Sequence, residues 1–198
     1  LSNPDFQYRL KAIAALKDYD PDTAVPILIA TLKDREFLVR SFVARGLGKQ
    51  HTAESFAALL EMTKFDDTPH VRAEAANSLS LFGKVSISHL VSVFCQDDHW
   101  LVRRSIMAAL EELDAPAELI EVCTEALTGE DLTVQEAAID SLASLAGSSH
   151  HTAVLTQLLA LTTAESSRLR ARVAHALQKF DEPQAQSALI ELRQDSDH

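Results

Sequence analysis

Glycine and proline are scarce in this 198-residue chain, numbering five and six. A long flexible tether is rich in such residues, so the composition leaves no room for domains strung on a linker. Cysteine is scarcer still. Cys95 and Cys123 are the whole complement, too few for a disulfide framework and suited to a reducing cytosol. Aromatic residues make up only 6% of the chain. No apolar run approaches the roughly 18–20 residues that cross a bilayer, and no signal peptide is legible, so a cytoplasmic protein without a membrane partner is expected. The sequence opens on Leu1 rather than Met, which leads us to expect missing upstream residues.

Basic residues are also in the minority. Lys and Arg number 18 against 29 Asp and Glu, for a net charge of −11. Phosphate backbones are held by clustered cations, so nucleic acid is not an expected partner. The same charge keeps the chain soluble and favours a partner with a basic surface.

What the sequence does contain is a repeat. Arg9, Arg40, Arg72, Arg103, Gln135 and Arg170 serve as anchors, spaced by 31, 32, 31, 32 and 35 residues. Seven residues after each anchor stands a leucine: Leu16, Leu47, Leu79, Leu110, Leu142 and Leu177. Apolar or small residues also occupy the third and fourth positions after every anchor, as in Val43 and Ala44 or Ile106 and Met107. Positions +3, +4 and +7 fall on one face of an α-helix. A period in the low thirties is that of stacked two-helix units. The predicted fold is therefore all-α, a right-handed superhelical solenoid of about six two-helix repeats forming one domain over residues 1–198. Its repeats fall at residues 5–34, 35–66, 67–97, 98–131, 132–165 and 166–195.

Each repeat reads as helix A, a turn and helix B. The first has helix A over Phe6 to Lys17 and helix B over Thr23 to Leu32, with Asp22 as its N-cap and Pro26 in its first turn. Gly83 stops the third helix A. The tail from Gln194 to His198 is polar and expected to fray. Residues three before each anchor, among them Phe6, Phe37 and Trp100, are predicted to wedge between neighbouring repeats. Aspartates precede the anchors at Asp34, Asp66, Asp67, Asp97, Asp98 and Asp131. They are placed to cap the next helix and to accept hydrogen bonds from an anchor arginine of an adjoining repeat.

Strings such as Thr68-Pro69-His70-Val71-Arg72-Ala73-Glu74-Ala75-Ala76-Asn77-Ser78-Leu79 resemble the HEAT-repeat superfamily. More narrowly, they resemble its short-repeat branch typified by cyanobacterial phycobilin lyases. The resemblance covers nearly the whole chain and bears on fold, because the repeated residues are those that build the stack. A solenoid of this kind is expected to be a protein-binding scaffold. The resemblance implies two alternatives: a phycobilin lyase subunit or phycobilisome-associated factor that handles a bilin or phycobiliprotein, and a partner that supports an iron–sulfur cluster carrier. Deoxyhypusine hydroxylase is similar in architecture and holds two irons with His-Glu pairs. None of the eight histidines here is followed by Glu, so no such centre is expected.

No glycine-rich phosphate loop, Cys-x-x-Cys or local Ser-His-Asp signature is present, and neither a catalytic residue nor a cofactor is predicted. His150 and His151 read as a solvated turn, Cys123 as a small buried hydrophobe and Trp100 as core. Cys95 is expected near a groove edge. The predicted function is a non-catalytic scaffold binding a partner protein on a concave helix-B face. The polar strip left after subtracting the core stripe comprises Glu61, Met62, His89, Ser92, Glu121, Thr124, Glu125 and Gln157. In the bilin reading, Glu121 or Glu125 would pair with protonated pyrrole nitrogens.

Overall fold

A computed structural model describes residues 3–195, which contain twelve α-helices in six successive pairs. The helices are α1 (Phe6–Ala15), α2 (Pro21–Ile29), α3 (Phe37–Gly48), α4 (Ala53–Phe65), α5 (Pro69–Ser80) and α6 (Ile87–Gln96). They continue as α7 (Trp100–Glu112), α8 (Pro116–Thr128), α9 (Leu132–Ser144), α10 (His151–Ala160), α11 (Ser167–Leu177) and α12 (Pro183–Leu192). Contacts divide the chain into two compact units, one ending at Leu113 and the other beginning at Asp114. The first holds α1 to α7 and the second α8 to α12.

Odd-numbered helices are the A helices, and every anchor is the fourth residue of one. The six leucines at +7 are all buried. In the first unit the core is built on Leu28, Leu47, Leu59, Leu79, Phe94 and Leu110, all fully buried; in the second, Leu119, Ile139 and Leu142 play that part. Each such side chain stabilises the fold by roughly 1.5–3 kcal/mol relative to exposure. The residue before the anchor is buried as Val39, Val71, Val102, Val134 and Leu169, whereas Tyr8 is exposed because no described helix precedes α1.

Some local expectations need correction. Asp20, not Asp22, caps α2: its carboxylate accepts the Thr23 N–H at 3.0 Å and Pro21 takes the first helical position. Proline there needs no donor and has its φ preset, which moves the helix start two residues upstream. Pro26 accordingly lies in the helix interior rather than in the first turn. Phe37 and Trp100 are not buried wedges. Each is the first residue of an A helix and more than a third exposed, although the Phe37 ring still meets His70 of the next repeat, 6.0 Å between centroids. Helical side chains tilt toward the N-terminus, so one at the first position projects past the packed face. Trp100 stacks instead on the His99 ring, 5.9 Å between centroids. Gly83 does follow α5, with φ +76° in the left-handed region glycine favours. Of the predicted frayed tail, Asp195 is engaged by Arg170, and residues 196–198 lie outside the described residues.

Candidate functional site

A polar ladder holds the repeat junctions. Arg9, Arg40 and Arg72 each fork onto an aspartate 25 or 26 residues ahead: Asp34 at 2.7 and 2.8 Å, Asp66 at 2.7 and 2.9 Å, Asp97 at 2.6 and 3.1 Å. Arg170 makes the same fork with Asp195 in the second unit. Every anchor also reaches back six residues to a backbone carbonyl: Asn3, Asp34, Asp66, Asp97, Gly129 and Ala164. Gln135 keeps this bond through its amide, so a neutral donor suffices for the backward contact.

The aspartates serve both sides of a junction. The carboxylates of Asp34, Asp66 and Asp97 each accept the N–H two residues on, at 2.9 Å, just where the next A helix begins. Asp131 caps α9 by accepting from Thr133 and Val134. The fork from Arg9 holds the Asp34 carboxyl below its ordinary value, against the opposing effect of burial. Burial works hardest against ionisation of Asp66, yet the Arg40 fork and the Thr68 N–H together keep its carboxyl low as well. These charges are consumed in fixing the helices. They hold the helices of each junction in register.

The helix-B strip divides between the two units. In the first, Glu61 on α4 is exposed and lies 3.6 Å from the Lys33 ammonium. His89 on α6 is half-buried and meets the Phe56 ring edge-on at 5.4 Å. Ser92 accepts from the Gln96 amide at 3.2 Å. Met62 does not belong to the strip, being only 5% exposed. It continues the buried Ala58 and Leu59 stripe one turn on, and the +3 and +4 spacings put it inside.

In the second unit, Glu121, Thr124 and Glu125 are exposed on α8, with the two carboxylates one turn apart. The Gln157 amide of α10 donates to the Thr124 hydroxyl at 3.1 Å, and that hydroxyl donates to the Ile120 carbonyl at 2.7 Å. The structure thus brings Thr124 and Gln157 together as a rung between successive B helices.

His151 is not a solvated turn residue. Its Nδ1 bonds the Ala146 carbonyl and its Nε2 bonds the Glu182 carboxylate at the N-cap of α12. With both ring nitrogens facing acceptors the imidazolium is favoured, first by the Ala146 carbonyl and then by Glu182, and its pKa rises. Hydrogen bonding from His151 in turn lowers the pKa of Glu182. Sequence reading also missed a set of ion pairs between successive A helices: Arg45–Glu74, Arg168–Glu136 and Arg172–Asp140. Their signal was available, because opposite charges stand 29 or 32 residues apart, about one repeat.

Cys123 is buried and Cys95 exposed. Among the described residues, no three His, Cys, Asp or Glu side chains form a group that could hold a metal ion. Among the same residues, no helix is long and apolar enough to cross a membrane.

The sequence matches the description of HEAT repeats over residues 1–80, 25–111 and 120–198. Deoxyhypusine hydroxylase-B of Oryza sativa subsp. japonica is 33% identical over 107 residues, which are 54% of this chain and 35% of that protein. The chain therefore spans about a third of the length of this curated relative. Among solved structures, the complex of CpcE and CpcF of phycocyanin lyase from Nostoc sp. PCC7120 aligns with a TM-score of 0.54 and 18% identity, covering 97% of this chain and 91% of that one. Human deoxyhypusine hydroxylase in complex with glycerol aligns with a TM-score of 0.51 and 17% identity, covering 98% and 86%. At these identities the structural likeness is one of fold.

Proposed function

Because the chain belongs to the HEAT-repeat family, we propose that it is a non-catalytic interaction scaffold holding a partner protein on its helix-B face. The observation that carries this reading is the division of labour among its charges. Junction arginines and aspartates lock the helices, while Glu61, Glu121 and Glu125 remain exposed on B helices. A surface already held in place loses little entropy on binding. Exposed carboxylates on a chain of charge −11 suit a partner with a basic patch. The related Nostoc structure is itself a complex of two proteins, which supports protein binding through this fold.

The test is charge reversal at Glu61, Glu121 and Glu125 together. The partner is first recovered by co-purification from the native host, identified by mass spectrometry and purified for titration. The triple lysine variant should keep its fold, with stability changed by no more than about 1 kcal/mol, since the three positions are exposed. Partner binding should weaken strongly and lose its salt dependence. The control swaps Arg45→Glu with Glu74→Arg, which preserves an ion pair on the A helices. Loss of binding in the swap but not in the triple variant would place the partner elsewhere.

Two other roles differ in what they would show. A bilin-handling role rests on the Glu121 and Glu125 carboxylates and would appear as a changed bilin absorbance on mixing, lost in Glu121→Gln with Glu125→Gln. Support of an iron–sulfur carrier rests on exposed Cys95 and would appear as anaerobic iron binding lost in Cys95→Ser.

A further inference from the structure

We propose that the groove between α5 and α7, on the A-helix side of the first unit, docks an amphipathic helix of another protein. That helix would carry an acidic and a basic residue two turns apart. This surface is separate from the helix-B strip.

The junction of α5 with α7 lacks a charged rung that other A-helix junctions carry, as does that of α1 with α3, where the positions are Ala14 and Phe42. On the A helices, the residue five after one anchor pairs with the residue two after the next anchor. Arg45 and Glu74 make this rung between α3 and α5, at 2.9 and 3.0 Å. Asp140 and Arg172 make it between α9 and α11 with the charges exchanged. Between α5 and α7 the same two positions are Asn77 and Ser105, which carry no charge. A cleft of about 630 Å³ opens there.

Its walls offer exposed apolar area. Leu81 at the end of α5 is 53% exposed, and Trp100 at the start of α7 is 39% exposed. Small side chains, Ser105 and Ala108, lie between them, which lets another helix come close. Tryptophan and arginine are the residue types that most often dominate interface energetics.

Charge defines the occupant. Arg104 and Glu112 line the cleft, and among the described residues neither has an ion-pair partner within 4.0 Å. They stand eight residues apart on α7, about 12 Å at 1.5 Å per residue. A docked helix running alongside would match them with a carboxylate and a cation seven or eight positions apart. Binding of an apolar helical face in a groove flanked by such charges is a recurrent recognition mode.

Trp100 is the sole tryptophan, so its fluorescence reports directly on the cleft. The probes are three tryptophan-free amphipathic helical peptides with the same leucine face. One carries Glu and Lys eight residues apart, one carries Glu at both positions and one Lys at both. The mixed peptide should shift Trp100 emission to the blue, saturate, and bind about tenfold more tightly than either other peptide. Asn77→Arg with Ser105→Glu rebuilds the Arg45–Glu74 type of rung and should weaken binding at least about tenfold while circular dichroism and the unfolding midpoint hold. The triple lysine variant of the helix-B face should bind the mixed peptide as the parent does, so this surface and the scaffold proposal can fail separately. The inference is overturned if no peptide gives a saturable shift, or if the rung-restoring variant binds unchanged. It is also overturned, in favour of a second copy as occupant, if the protein alone shows the same shift on concentration together with a dimer in sedimentation.

Discussion

Asp66 receives both the Nε and Nη2 of Arg40, at 2.7 and 2.9 Å, while its own backbone carbonyl accepts from Arg72 at 3.0 Å. One residue thus joins two successive anchors, and its Oδ1 also takes the Thr68 N–H. The Arg40 and Asp66 side chains are only 10% and 7% exposed. Removing either partner leaves the other charge poorly solvated. Arg40→Met should therefore cost on the order of 3 kcal/mol, read as a lower urea midpoint at unchanged slope. A loss below about 0.5 kcal/mol would show that the fork is an ordinary surface pair.

The ionisable pairs give stability two separate pH limits. Asp34 and Asp66 have folded pKa values below the ordinary 3.8. Their contribution is present above that value and is lost as pH falls through the lowered folded ones. His151 is raised above the ordinary 6.5. Its contribution is complete below 6.5 and disappears as pH rises through the raised value. Unfolding midpoints plotted against pH should fall on both sides, and His151→Ala should flatten the alkaline limb and also remove the smaller acid-side contribution of Glu182, whose pKa His151 lowers. An alkaline limb unchanged in that variant would remove His151 as its cause.

Leu110 is fully buried in the first unit. Leu110→Ala leaves a cavity and should cost on the order of 2–5 kcal/mol. Among the described A helices of the first unit, α5 packs on both α3 and α7, whereas α1 packs on α3 alone, so amide exchange there should be slower around Leu79 than around Leu16. Equal protection at Leu79 and Leu16 would contradict that ordering.

What was legible in the sequence followed from periodicity. The +7 leucines and the arginine–aspartate ladder recur at fixed offsets because each repeat solves the same packing problem, so repetition reveals them. Single-site facts were harder. Met62 looked like surface because the core stripe of a B helix drifts by a residue from one repeat to the next. Trp100 looked like core because its ladder is aromatic or apolar in most repeats, although the first helical position points out of the stack. His151 and Glu182 lie 31 residues apart and occur in one repeat only, so no ladder announced them. The cleft beside Asn77 and Ser105 is marked by the exposed Leu81 and Trp100, a juxtaposition of two helices that no single repeat announces.

Glycine substitutions separate close packing from helix propensity. Gly48, buried at the end of α3, faces α5 so closely that an added Cβ would lie 2.8 Å from the Ser78 Cβ and 3.1 Å from the Ser78 carbonyl oxygen. Those atoms belong to the neighbouring helix and its backbone, so the two helices would have to part. Propensity alone predicts that Gly→Ala within a helix stabilises by roughly 0.5–1 kcal/mol. At Gly48 we expect the opposite sign, a loss of about 1–3 kcal/mol, because overpacking a closed contact outweighs the entropic gain. Gly147 supplies the comparison. Nothing lies within 4 Å of its added Cβ, so Gly147→Ala should be neutral or stabilise by about 0.4–1 kcal/mol through the unfolded chain. Both values can be read from urea midpoints at constant slope. If Gly48→Ala proves as harmless as Gly147→Ala, the approach of α3 to α5 is looser than the contact with Ser78 requires, and polar links such as the Arg45–Glu74 pair would carry more of that junction.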